Sequence, residues 1–161
     1  MKVSAPRAPQ PIQTEGSKSG MRGVLTGLAI VIVDDDPDSR DLLSTVLNQR
    51  DAQVYVADCA AAAFDLVKAH RPDVLISDIA MPEEDGYTLI GRVRALPADG
   101  GGETPAIAVT AYASRADQKR AVEAGFNAHF AKPIDIDRLV DELLDMRSAR
   151  DLRRASANTA K

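Results

Sequence analysis

One cysteine, Cys59, in 161 residues rules out a disulfide framework and a cysteine-built metal site. It reads as a small apolar residue at a helix start. Histidine is almost as scarce, with two residues, so a metal centre here must be built from oxygen. Long apolar runs are missing too. The longest, Val24 to Val33, is broken by Thr26 and Gly27 and runs into Asp34, Asp35 and Asp36. No membrane insertion is expected from such a run. The first 23 residues carry four basic residues but are rich in Pro, Ser, Gln and Gly where an export signal would need an apolar stretch, so the expected location is cytoplasmic. The glycine-rich stretch 97–103 is not followed by Gly-Lys-Ser/Thr, which makes it a flexible connector rather than a phosphate loop.

Charge is unevenly spread. The net −4 divides into +3 over residues 1–28, +4 over residues 147–161 and therefore −11 between them. An acidic globule repels phosphate backbones, which argues against direct nucleic-acid binding. Residues 1–28 lack periodicity and are rich in Pro, Ser and Gln, so a disordered N-terminal tail is expected, with Met21 as an alternative start. The folded unit should run over 29–146, followed by a basic C-terminal tail or helix extension over 147–161. Fifteen residues are too few for a separate output domain.

Within the folded unit, apolar β-branched runs alternate with helical stripes. Ala29 to Val33, Ala52 to Val56, Asp73 to Ser77, Pro105 to Thr110 and Ala128 to Ala131 read as strands. Between them, Asp36-Pro37 starts a helix carrying Leu42, Leu43, Val46 and Leu47. Further helices are expected over Cys59 to His70, Tyr87 to Leu96 and Ser114 to Ala124. The last, from Asp135, has Ile136, Leu139, Val140, Leu143 and Leu144 on one face. Five strands alternating with five helices imply an α/β, flavodoxin-like (βα)5 fold. Its parallel five-stranded sheet would take the order 2-1-3-4-5, with helices on both faces.

Ligands of such sheets bind beyond the carboxyl ends of the strands, where strand order reverses. There strand one ends in Asp34-Asp35, strand three in Asp78, strand four in Thr110 and strand five in Lys132. Three crowded carboxylates are unfavourable alone. Lys132 and a bound divalent cation would bring the sum to zero, and an oxygen-only donor set favours Mg2+. Asp78 begins a loop containing Pro82 and Gly86, so it is the best-placed nucleophile; attack on phosphorus would give an acyl phosphate. Thr110 is placed to donate a hydrogen bond to a phosphoryl oxygen and Lys132 to neutralise its charge.

Those residues also carry a resemblance. Val33-Asp-Asp-Asp-Pro37, Ser77-Asp-Ile-Ala-Met-Pro82 with Asp85-Gly86, Val109-Thr-Ala111 and Ala131-Lys-Pro133 resemble the receiver domain of two-component response regulators over about residues 29–146. The segment 124–132 is most similar to receivers of hybrid sensor kinases. The resemblance implies that Asp78 is the phosphoacceptor. Asp35, Asp78 and the main-chain carbonyl of Ala80 would hold Mg2+, with Asp34 assisting through water. Thr110 would be the switch hydroxyl, Lys132 would bridge the phosphoryl group and strand one, and the Lys132–Pro133 bond would be cis. Ala80 and Tyr112 would flank the phosphoryl group and control access of water. His129 occupies the position where many receivers carry a rotating Tyr or Phe, and is either a surface residue or a substitute rotor.

The implied partners are a histidine kinase or histidine phosphotransfer protein and a downstream protein that reads the face of helix four, strand five and helix five; a homodimer stays open. The short remainder after Met146 leads to the expectation of a stand-alone receiver, and the resemblance implies a phosphoacceptor and not a turnover enzyme. Alternatives are a phosphorylation-independent scaffold and a phosphate sink or relay intermediate. Asp34-x-Asp36 also resembles the start of haloacid-dehalogenase phosphohydrolases, but Pro37-Asp38 breaks that pattern.

Overall fold

Three runs of five residues, almost wholly buried, build the middle of the sheet: β1 (Ala29–Val33), β3 (Val74–Asp78) and β4 (Ala106–Thr110). Continuous apolar runs of this kind suit a parallel sheet covered on both faces. The computed structural model describes residues 23–111 and 114–159, which form five strands and five α-helices. The edge strands β2 (Gln53–Ala57) and β5 (Ala128–Ala131) are more open. All pairings are parallel and the order is β2-β1-β3-β4-β5, as expected.

The helices are α1 (Pro37–Asn48), α2 (Ala60–His70), α3 (Gly86–Arg94), α4 (Arg115–Ala124) and α5 (Ile136–Thr159). Strand side chains alternate between two apolar clusters. Ile30, Ile32, Ile76, Ile107 and Val109 meet Leu43 and Leu47 of α1 and Leu139 and Leu143 of α5. Val31, Val33, Leu75, Ala106 and Ala108 meet α2, α3 and α4, whose buried residues include Val67, Ile90 and Ala121. The α5 stripe therefore faces the core as its spacing predicts. Among the described residues, no helix is long and apolar enough to cross a membrane.

Three boundaries differ from the sequence expectation. The fold begins before Ala29: a turn over 23–27 buries Leu25 and Leu28 completely, and the Leu25 N–H donates to the Arg50 carbonyl at 2.9 Å. A turn this short offers too few residues for a helical or strand period to reveal it. The rest of the expected tail, residues 1–22, lies outside the described residues. Leu25→Ala should destabilise the protein by about 2–4 kcal/mol, the usual cost of emptying a core leucine site. Urea unfolding measures this, and an unchanged midpoint would remove residues 23–28 from the core.

The second difference is at the other end, where α5 runs on past Met146 to Thr159. Of the two expectations for 147–161, helix extension describes the backbone as far as Thr159. Arg150 is not a solvated tail residue: its Nη1 lies 2.7 Å from Asp73 Oδ1, and both side chains are mostly buried. The other Asp73 oxygen, Oδ2, accepts from the Ala29 N–H at 2.8 Å. Third, the stretch expected as a flexible connector is folded. It holds a 3-10 turn at Ala98–Gly100, and a side chain on Gly102 would collide with the Leu96 carbonyl.

Candidate functional site

The carboxyl ends of four strands lie side by side because their registers are nearly level. Val33 pairs with Ser77, Asp78 with Val109, and Thr110 with Ala131. Asp34, one residue beyond β1, is 7% exposed, while Asp35 is exposed. Asp36 caps α1, accepting from the Asp38 N–H, with Pro37 in the first turn, so the chain must turn away at once and leave Asp34 pointing back over the sheet edge. Asp34 Oδ1 accepts from the Asp36 N–H at 2.9 Å.

Asp78 is the last residue of β3 and is 6% exposed. Immediately after it the chain is tied tightly. The Ile79 N–H donates to the Val109 carbonyl at 3.0 Å, and the Ile79 carbonyl accepts from Met81 and Gly86. Glycine is required at position 86, where a Cβ would sit 2.5 Å from the Asp78 carbonyl oxygen. Asp85 then caps α3 by accepting from the Thr88 N–H at 2.8 Å.

Asp34, Asp35 and Asp78 each present a carboxylate oxygen, and these oxygens lie within 4.8 Å of one another. Lys132 reaches across from beyond β5. Its Nζ is 3.2 Å from Asp34 Oδ2 and 3.5 Å from Asp78 Oδ2. Three acids against one base leave the cluster at −2. Burial, followed by the Asp34 carboxylate, pushes the Asp78 carboxyl up to about 6, with Lys132 pulling the other way and Asp35 adding to the rise. Partial burial disfavours the Lys132 ammonium, but Asp78 and Asp34 outweigh it and hold Lys132 above the usual lysine value. Excess negative charge on hard oxygen donors, with no sulfur or imidazole in the cluster, is the donor set that suits a cation such as Mg2+.

Thr110, 6% exposed, ends β4 one residue past the partner of Asp78. Ala80 is exposed two residues beyond Asp78, at the start of the tight loop. The Lys132–Pro133 bond is cis, as expected. Tyr112 lies outside the described residues. His129 is not at the acid cluster: it lies in β5 opposite Ala108, partly buried, and its Nε2 atom is buried without a hydrogen-bond partner.

Two features escaped the sequence reading. Arg40 Nη1 donates to the Asp34 carbonyl at 2.8 Å, bracing the acidic turn from inside α1. Leu42, placed by its spacing in the core stripe, is 65% exposed. It lines a cavity of about 430 Å³ that also touches Asp34, Asp78, Lys132, Pro133 and Ile134. The stripe is wider than the buried arc of α1, which leaves its outermost leucine outside the core.

Residues 30–144 match the family model described as the response regulator receiver domain. An uncharacterized 14.6 kDa protein of Leptolyngbya boryana is 51% identical over 112 residues, covering 69% of this chain and 83% of that protein. Sporulation initiation phosphotransferase F of Bacillus subtilis (strain 168) is 34% identical, covering 70% of this chain and 87% of its own length. The sensor histidine kinase RcsC of Escherichia coli (strain K12) is also 34% identical, over 68% of this chain, but the match spans only 11% of that kinase. Among solved structures, the N-terminal domain of a Wolinella succinogenes protein superposes with TM-score 0.69 at 33% identity, covering 79% of this chain and 99% of that one. The receiver domain of sensor histidine kinase PA1611 from Pseudomonas aeruginosa PAO1 has a magnesium ion coordinated in its active-site cleft. It superposes with TM-score 0.65 at 26% identity, covering 74% and 99% of the two chains.

Proposed function

We propose, because this chain belongs to the response regulator receiver domain family, that it serves two-component phosphorelay signalling by carrying a phosphoryl group on Asp78. The observation that carries this reading is the meeting of Asp34, Asp35 and Asp78 from two neighbouring strand ends, with Lys132 within 3.5 Å of Asp78. The donor would be a phosphohistidine on a histidine kinase or phosphotransfer protein. An Asp78 oxygen attacks phosphorus, the phosphorus–nitrogen bond breaks, and its electron pair leaves with the imidazole.

With its carboxyl at about 6, Asp78 is roughly nine-tenths ionised at pH 7 and is competent as the nucleophile. Asp34, Asp35, Asp78 and the Ala80 carbonyl would hold Mg2+, which neutralises charge on the transferring group when bound. Lys132 orients the acceptor and meets the charge of the product. Thr110 donates its hydroxyl hydrogen bond to a phosphoryl oxygen and thereby draws in the chain after β4. The face of α4, β5 and α5 then changes, with His129 moving as part of it, and a downstream protein reads that change. On this reading the chain is a cytoplasmic phosphoacceptor that catalyses only its own gain and loss of phosphate.

The test is incubation of the full chain with a small acyl-phosphate donor, with and without Mg2+. The expected result is a mass gain of one phosphoryl group that needs Mg2+ and is removed by hydroxylamine, as an acyl phosphate is. No incorporation under any metal condition would sink the proposal and favour a phosphorylation-independent scaffold.

A further inference from the structure

A buried polar atom without a partner is destabilising and calls for an explanation. Among the described residues, His129 Nε2 is such an atom, and it lies outside the acid cluster. In β5 the neighbouring Phe130 belongs to the α1–α5 side, so His129 faces the other side, as does its register partner Ala108. There α4 packs over the sheet with Ala121 as its one buried residue. The imidazole thus sits beneath the helix that the core holds least firmly.

Several ionisable groups on the surrounding elements are engaged elsewhere. On α4, Arg120 lies over the Tyr87 ring of α3 at 4.0 Å, and Lys119 pairs with Glu123 at 4.0 Å. Arg94 of α3 is bound to the Gly125 carbonyl. Lys132, beyond β5, is bound to Asp34 and Asp78, and β4 has no ionisable residue. Asp117 of α4 is the charge that acts on His129. It already clasps the start of α4: Ser114 Oγ donates to Asp117 Oδ2 at 2.8 Å and accepts from the Asp117 N–H at 3.1 Å.

We propose that His129 makes the α4–β5 surface respond to protons: the neutral ring stays beneath α4, whereas the imidazolium swings out to Asp117, breaks its clasp on Ser114 and loosens the helix. Burial lowers the affinity of the inward ring for a proton, and the Asp117 carboxylate only partly opposes this. The inward state therefore binds fewer protons than the outward one, so acidification shifts the population outward. A proton and a phosphoryl group would then be separate inputs to one surface. The proton effect does not depend on Asp78 accepting phosphate.

The chain has two histidines, His70 and His129, so imidazole NMR of the full-length His70→Gln variant follows His129 alone. Its midpoint should lie below that of the same chain unfolded in urea. Between about pH 8 and about pH 5.5, α4 amides should lose protection from hydrogen exchange, by about tenfold for each unit separating the two midpoints, while α1 stays unchanged. His129→Phe should abolish that pH dependence, and His129→Gln gives the same reading if the phenylalanine variant folds poorly. A folded midpoint at or above the unfolded one overturns the proposal. So does α4 loosening that persists in both variants.

Discussion

Asp78→Asn should abolish phosphoryl incorporation and, in metal-free protein at pH 7, raise stability by about 1–3 kcal/mol. The first effect follows from losing the attacking oxygen. The second follows from electrostatics: burial and the Asp34 carboxylate lift the Asp78 carboxyl from 3.8 to about 6. Between those values the folded protein binds more protons than the unfolded chain, so stability falls as pH rises through the interval. Above it the ionised group is a fixed burden of about 3 kcal/mol at most, since each unit is worth about 1.4 kcal/mol. Asparagine keeps the shape and sheds the charge. Its advantage should be present at pH 7 and vanish near pH 4, which urea midpoints at the two pH values would reveal. Mg2+ should reverse the order by stabilising wild type through binding, since the variant has lost a ligand. An advantage independent of pH would mean that charge is not its source.

Lys132→Ala should slow phosphoryl transfer from an acyl-phosphate donor by about 10²–10³-fold, the usual cost of removing one preorganised charge stabiliser. Its Nζ lies 3.2 Å from Asp34 and 3.5 Å from Asp78. Lys132 is the charge that pulls the Asp78 carboxyl down, so without it that carboxyl should rise further and the rate should climb to a higher pH. Lys132→Arg restores the charge but not its compact shape, and should recover only part of the rate. Single-turnover labelling across pH separates these effects. A rate within threefold of wild type would show that Lys132 is a spectator.

The acid cluster was legible because the sheet is parallel and buried on both faces. In such strands the apolar run gives way to polar residues near its end, so Asp34, Asp78 and Thr110 mark three strand ends on one edge. The strand order followed from handed crossovers. What stayed hidden depends on contacts between residues far apart in the chain. Leu25 and Leu28 have no periodic neighbours, and their burial is decided by the Arg50 carbonyl and the α5 face. Leu42 fits the α1 stripe as well as Leu43 does, yet it is exposed where Leu43 is buried. Arg150 is one arginine among several after Met146, and nothing local distinguishes the one that meets Asp73. The unsatisfied atom of His129 belongs to this class too, since it results from what surrounds β5.

The Arg150–Asp73 pair also sets where the domain can be cut. A boundary placed at residue 144, where the family match stops, would sever the guanidinium that balances a mostly buried carboxylate at the foot of β1 and β3. That carboxylate would be left with the Ala29 amide as its bonded neighbour, at the sheet end opposite Asp78. A fragment trimmed to the shared family core would thus carry an uncompensated charge in its floor. Weakness observed in such a fragment would be a product of the trimming and would say nothing about the acidic edge above.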